Sequence, residues 1–206
     1  MIAVVDYGAG NVRSVMNVFE AIGPNSILTN DPDILAKSSA IVLPGVGAFG
    51  DCMESLRRLK LVEPLNELVL HEKKPYLGIC LGMQFLAQES FELGVHKGLG
   101  WIQGKVELLA PKEKKFRIPH MGWNDIYMHR SSSLFEGLED SPVFYFVHSY
   151  HLAVDKEDAN AVTATCWHGA TITAAIQKDN IFGTQFHPEK SQESGIKLLK
   201  NFLKGI

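Results

Sequence analysis

Pro75-Tyr76-Leu77-Gly78-Ile79-Cys80-Leu81-Gly82-Met83-Gln84 reads as a short apolar strand that turns sharply into a segment of helix formers. The turn carries Gly-x-Cys-x-Gly, with a glycine two residues to either side of the cysteine. In a nucleophile elbow of this kind the strand and the following helix pass so closely that Cβ atoms at the flanking positions would clash, and the nucleophile sits in a strained backbone. Ahead of a helix, the Cys80 sulfur faces the positive end of the helix dipole, which favours the thiolate, the form that attacks. The same strand-turn-helix unit points to the fold class, because buried strands joined through helices build parallel sheets.

Upstream the pattern recurs. Ile2 to Val5 forms a buried strand and Gly8-Ala9-Gly10 a turn, after which Asn11 caps a helix with Val12, Val15, Met16, Phe19 and Ile22 on one face. Gly23-Pro24 ends that helix, Ile27 to Thr29 and Ala40 to Leu43 supply two more strands, and helical segments occupy roughly Asp51 to His71 and Gly82 to Glu89. From Gly98 the strands shorten: Ile102 to Leu109, Trp123 to Tyr127, Val143 to Val147, Val162 to Thr165, Thr171 to Gln177 and Ile181 to Phe186. A closing helix from about Ser194 to Leu203 carries Ile196, Leu198, Leu199 and Phe202 as an apolar stripe. The expected architecture is α/β: an open, mostly parallel central sheet with helices on both faces plus an antiparallel extension. Without repeats or linkers, residues 1–206 are expected to form a single domain.

Composition removes several function classes. The chain has 206 residues, 46% of them hydrophobic, and its 20 Lys and Arg against 23 Asp and Glu give a formal net charge of -3. Such a chain buries a proper core and lacks the basic excess that phosphate neutralisation demands, so no nucleic-acid partner is expected. The N-terminus has no basic region and only a strand-sized apolar run, and no run approaches the ~18 residues needed to span a bilayer. A cytoplasmic location and no membrane association follow as expectations. Three widely spaced cysteines, Cys52, Cys80 and Cys166, exclude a disulfide framework or a CxxC metal site, so no metal is expected. Cys52 and Cys166 read as packing residues.

A thiolate needs a base. Gly183-Thr184-Gln185-Phe186-His187-Pro188-Glu189 provides one at a strand end: Pro188 biases His187 toward extended backbone, and Glu189 follows where its carboxylate can fix the imidazole tautomer. Cys80, His187 and Glu189 thus form a nucleophile-base-orienter set. The oxyanion of a tetrahedral intermediate needs donors: one is the backbone N–H of Leu81, and Gly45-Val46-Gly47, at the C-terminal edge of the same sheet, offers others. Tyr7-Gly8-Ala9-Gly10-Asn11-Val12-Arg13, with Asp31 about twenty residues on, imitates a dinucleotide-binding loop, but Arg13 stands where the third glycine belongs. The basic run Lys112 to Arg117 reads as a solvated hairpin tip.

These motifs resemble those of class I (triad-type) glutamine amidotransferases, which share the Gly-x-Cys-x-Gly elbow and a late His-Pro-Glu. Pro44-Gly45-Val46-Gly47-Ala48-Phe49-Gly50, Ile118-Pro119-His120-Met121-Gly122-Trp123-Asn124, Tyr145-Phe146-Val147-His148-Ser149-Tyr150 and His187-Pro188-Glu189-Lys190-Ser191 look in particular like the glutaminase subunits of imidazole glycerol phosphate synthases. The resemblance implies a flavodoxin-like fold and hydrolysis of L-glutamine through a thioester on Cys80, with no cofactor. It further implies that Gln84, His148, Ser149 and Tyr150 hold glutamine and that Asn11, Met121, Trp123, Tyr145 and Lys190 face a partner. That partner would be a cyclase subunit, a (β/α)8 barrel, which forms a heterodimer with the chain and uses its ammonia to make imidazole glycerol phosphate and AICAR in histidine biosynthesis. A glutaminase serving another synthase, and a binding module with an inactive triad, remain as alternatives at this point.

Overall fold

The computed structural model describes residues 1–9, 11–23 and 25–206. Its frame is an eight-stranded sheet in the order β2-β1-β3-β4-β14-β13-β12-β9. Five strands run parallel: β1 (Ile2–Val5), β2 (Ser26–Thr29), β3 (Ala40–Gly45), β4 (Tyr76–Cys80) and, late in the chain, β14 (Ile181–Thr184). Beyond β14 the sheet continues antiparallel through β13 (Thr171–Lys178), β12 (Val162–Trp167) and β9 (Tyr127–Met128). Two smaller sheets carry the rest: a two-stranded ribbon of β8 (His120–Asp125) with β10 (Val143–His148), and a four-stranded sheet of β11 (Tyr150–Val154), β7 (Gly104–Leu108), β5 (Glu89–Ser90) and β6 (His96–Lys97). The expected mostly parallel sheet with an antiparallel extension is what forms.

Alternation along the parallel strands splits the core in two. Ala3, Val5, Ile41 and Leu43 face the side covered by α2 (Pro32–Lys37), α3 (Phe49–Arg58) and α4 (Val62–Asn66), where Leu35, Phe49, Met53, Leu56 and Leu65 pack. Ile2, Val4, Ala40 and Val42 face Val15 and Phe19 of α1 (Val12–Ile22) and Leu198, Leu199 and Phe202 of α6 (Gln192–Lys204). Helices therefore lie on both faces of the sheet, with strands buried between them as near-continuous apolar runs.

Local expectations differ at several points. Asn11 precedes α1 with φ -82° and ψ 56° and makes no side-chain capping bond, so it does not act as the cap predicted for it. The expected turn and helix stop include Gly10 and Pro24, which lie outside the described residues; Gly23 itself is left-handed and donates its N–H to Phe19 O at 3.1 Å. The helical stretch 51–71 is broken: α3 ends before Lys60, whose φ of 55° is left-handed, and α4 runs on into a single π turn over Glu67–His71. The helix after the elbow, α5, covers only Leu81–Gln84, not the predicted span to Glu89, because Glu89 and Ser90 pair with β6 and β7 instead. Lys112 to Lys115 and Arg117 are exposed as predicted while Phe116 is half-buried, yet the run is no hairpin tip: β7 before it and β8 after it belong to different sheets. Asp31, the acid that completes the imitation of a dinucleotide-binding loop, caps α2 by accepting from Asp33 N at 2.9 Å.

Candidate active site

The elbow lies at the C-terminal end of β4, between β3 and β14, on the edge of the sheet where open α/β folds place their sites. Cys80 has φ 54° and ψ -106°, a strained backbone that only its surroundings can hold in place. Those surroundings are specific. A Cβ on Gly82 would run into the carbonyl of Leu43 on β3, and one on Gly78 into the carbonyl of Gly82. Tyr76 donates its hydroxyl to Gly82 O at 3.0 Å, tying the strand to the first turn of α5. With only four residues, α5 brings a weak dipole, so less of the thiolate's stabilisation comes from it than the sequence implied.

Parallel pairing of β14 with β4 carries the chain past Thr184 to His187, beside the elbow. His187 is extended (φ -101°, ψ 93°), with Pro188 opening a short 3-10 turn that returns Glu189 to the imidazole. Nδ1 of His187 lies 2.7 Å from Oε1 of Glu189, and both side chains are 2% exposed. Two bonds from β10 pin the backbone: His187 N donates to Tyr145 O at 2.9 Å, and Tyr145 N donates to Oγ of Ser191, whose hydroxyl in turn donates to His187 O at 2.6 Å. Nε2 of His187 has no hydrogen-bond partner and belongs to the side that faces Cys80. Burial opposes charge on this imidazole, but the Cys80 thiolate and the Glu189 carboxylate outweigh it and push its pKa up to about 10.

A cavity of about 340 Å³ opens over the sulfur, lined by Val46, Gly47, Cys80, Leu81, Gln84, Glu92, Val147, His148, Ser149 and Tyr150. Gly45 is the parallel neighbour of Cys80, and Gly47 takes a φ of 119° that favours glycine. A larger hollow of about 700 Å³ beside Met128 to Ser133 contains none of the three triad residues. Among the described residues no group of three or more His, Cys, Asp or Glu side chains is placed to hold a metal, and no helix is long and apolar enough to cross a membrane.

The structure thus brings Cys80, His187, Glu189, Leu81, the Gly45 to Gly47 loop, Gln84, His148, Ser149 and Tyr150 to one place. The residues assigned to a partner surface sit on its flank. Met121 and Trp123 are 61% and 48% exposed on the outer face of β8. Tyr145, directly opposite Trp123 in the ribbon, meets it edge-on at 5.9 Å, and Lys190 holds its ammonium 5.7 Å from the Tyr145 ring. Asn11 is exposed at the start of α1, which packs against the Pro188–Lys190 turn. Cys52 and Cys166 are buried, and burial pushes their thiols up to about 11 and about 12; Cys52 also points at Val46 O, 3.8 Å away.

Sequence reasoning missed Glu92, Gln185, Ser191 and His120, which pairs with the predicted His148 in the buried interior. Glu92 is the one carboxylate on the cavity wall and accepts from Phe49 N at 2.8 Å. Gln185, fully buried, was passed over as strand, although it stands two residues before His187.

An elbow cysteine faced by a buried histidine-carboxylate pair, at a cavity on the C-terminal edge of parallel strands, is the equipment of a thiol-dependent acyl-transfer enzyme. The chain matches the family model described as glutamine amidotransferase class-I over residues 3–206, and it belongs to that family. It is 46% identical over 206 residues to the imidazole glycerol phosphate synthase subunit HisH of Syntrophotalea carbinolica, covering 98% of both chains. Its identity to the subunit of the same name from Zymomonas mobilis is 47%, covering 98% of this chain and 94% of that one. To the subunit HisH 2 of Methanococcus maripaludis it is 46%, covering 99% of each. Among solved structures, one titled a glutamine amidotransferase superposes with a TM-score of 0.76 at 18% identity, covering all of both chains, which bears on the fold alone.

Proposed function

We propose that the chain is the glutaminase subunit of an imidazole glycerol phosphate synthase, hydrolysing L-glutamine and handing the ammonia to a separate cyclase subunit in histidine biosynthesis. The observation that carries this reading is the buried His187–Glu189 pair beside the strained Cys80, whose sulfur opens into a cavity of about 340 Å³. The thiolate of Cys80 attacks the side-chain amide carbon of glutamine, and the oxyanion is held by Leu81 N–H together with a peptide N–H of the Gly45 to Gly47 loop. Protonated His187 gives its proton to the departing nitrogen, so ammonia leaves and a γ-glutamyl thioester remains. Neutral His187 then takes a proton from water, which attacks the thioester, releasing glutamate and restoring the thiolate-imidazolium pair. Glu189 holds the imidazole tautomer throughout. In the cavity Gln84, His148, Ser149 and Tyr150 contact the substrate, and the Glu92 carboxylate suits its α-ammonium group.

The consuming reaction belongs to the partner, a (β/α)8-barrel cyclase, and the two chains form a heterodimer in the cytoplasm. Asn11, Met121, Trp123, Tyr145 and Lys190 form the docking face, with Trp123 as an aromatic anchor. All 206 residues act as one glutaminase domain, a reading supported by the two cores that share opposite faces of one sheet.

The test is a glutaminase assay on the pure chain, then with the cyclase and its nucleotide substrate, alongside mass spectrometry of the acid-quenched enzyme. A γ-glutamyl adduct on Cys80, absent from Cys80→Ala, is expected, as is faster turnover in the loaded complex. An adduct that survives Cys80→Ala, or copurification with a different synthase, overturns the assignment.

A further inference from the structure

Behind the nucleophile runs a chain of buried hydrogen bonds whose direction can be worked out link by link. Tyr150 O is a carbonyl and can only accept, so Nδ1 of His148, 2.8 Å away, carries the hydrogen. Nε2 of neutral His148 then accepts from Nδ1 of His120 at 2.9 Å. Nε2 of His120 is left to accept from Nδ2 of Asn124 at 3.1 Å. The Asn124 amide is fixed independently: its Oδ1 accepts from Asp125 N at 3.0 Å, and its Nδ2 donates to Trp167 O at 3.0 Å. Both imidazoles are held neutral, mainly by burial, with pKa values lowered to about 4 for His120 and about 3 for His148. His120 is further locked in place between Phe146 and His168, whose rings stack on it at 4.6 and 4.2 Å.

The same Tyr150 carbonyl accepts from Nε2 of Gln84 at 2.9 Å, and that nitrogen gives its other hydrogen to Oε1 of Gln185 at 3.0 Å. With its oxygen occupied, Gln185 turns its own Nε2 to Sγ of Cys80, 3.5 Å away. Gln185 is fully buried and contacts none of the solvent.

We propose that Gln185 is a positioning residue for the nucleophile: its amide N–H, oriented by Gln84 and the chain behind it, holds the Cys80 sulfur as a thiolate aimed into the cavity. This rests on Cys80 being the nucleophile. A donor to an ionised acceptor is about twice as strong as a neutral pair, and in a buried site it favours the charged form over the thiol. Because α5 is only one turn long, this donor supplies what a longer helix would otherwise contribute. Glu92, His148 and Tyr150 share the cavity with the sulfur, and the two titratable groups that couple to it are His187, cationic beside it, and Tyr7 on the loop after β1, which burial keeps protonated. Gln185 is thus an uncharged third contact whose removal leaves both in place.

The test measures iodoacetamide alkylation of Cys80 against pH in the full-length chain, by peptide mapping, with buried Cys52 and Cys166 as internal controls. Gln185→Glu keeps the acceptor for Gln84 and replaces the donor with a carboxylate; Gln185→Met removes the donor without adding charge. In both, the alkylation profile moves to more alkaline pH and the rate at pH 7 falls by about 10-fold or more, the larger change in Gln185→Glu. In the complex with the cyclase, kcat for glutamine hydrolysis falls in parallel in both variants, and in Gln185→Glu KM stays within about twofold, because Gln84 on the cavity wall keeps its acceptor. If Gln185→Glu does not fold, Gln185→Met carries the test. A folded variant with the wild-type alkylation profile overturns the proposal. Wild-type enzyme that forms no γ-glutamyl adduct at Cys80 would instead overturn the glutaminase reading beneath it.

Discussion

Two sets of buried histidines, in the triad and in the β8–β10 ribbon, end in opposite charge states. His187 is pushed up to about 10, whereas His120 and His148 are lowered to about 4 and about 3. Burial disfavours the cation at all three, so burial does not decide the outcome. The neighbours do. His187 sits between a thiolate and a carboxylate, while the ribbon pair meets a carbonyl, an amide and other imidazoles, none of which is negative. Anionic partners turn one imidazole into an acid that can give a proton to a leaving group, and neutral partners turn the other two into fixed links with one donor and one acceptor each.

The sharpest way to break this contrast is to take the anion from His187. Glu189→Gln preserves an acceptor for Nδ1 but not the charge, and glutamine hydrolysis in the complex should fall by about 1000-fold with KM little changed. Turnover within tenfold of wild type would mean that the carboxylate does not set the histidine's role. A smaller effect separates the ribbon's two faces: Trp123→Ala should weaken cyclase binding by about 10- to 100-fold, read by titration calorimetry, with thermal stability nearly unchanged. An unaltered affinity would remove Trp123 from the docking face.

The smallest effect is on stability against pH, and its signs differ between the two regions. The folded pKa values of His120 and His148 lie below the unfolded value of about 6.5, so the unfolded chain binds more protons between about pH 6.5 and 4, and their contribution is lost as pH falls. The folded pKa of His187 lies above it, so its contribution is complete below about pH 6.5 and is lost as pH rises toward about 10. The thermal midpoint should therefore drop by a few degrees on either side of neutrality. Glu189→Gln should flatten the alkaline limb alone; an unchanged alkaline limb would show that another group controls it.

How much of this was legible in the sequence follows from the range of each interaction. The elbow and the His-Pro-Glu turn are local devices in which the glycines, the proline and the acid stand within a few residues of the group they serve, and the α/β alternation shows in apolar runs of four to six residues. The break in the 51–71 helix shows only as a slip in phase between Leu59 and Leu61, hidden between two runs at helical spacing, Met53, Leu56 and Leu59 before Lys60 and Leu61, Leu65 and Leu68 after it. Strands β5 and β6, two residues each, are shorter than any periodicity can register. The chain behind Cys80 was also hidden: Gln84, His120, His148 and Gln185 are far apart in sequence, and only the pairing of β4 with β14 and of β8 with β10 brings them together.

The ribbon's pairing has one more consequence. Along β8, His120 and Asn124 point inward and Met121 and Trp123 outward, and on β10 His148 faces His120 as Tyr145 faces Trp123. Because side chains alternate with a period of two, a slip of β8 by a single residue would put Trp123 in the core and Asn124 in solvent at the same moment. The ribbon has only two strands, so no third strand guards that alignment. A one-residue insertion or deletion next to β8 would cost the molecule its aromatic surface and the wiring behind its sulfur together, and so neither can drift without the other.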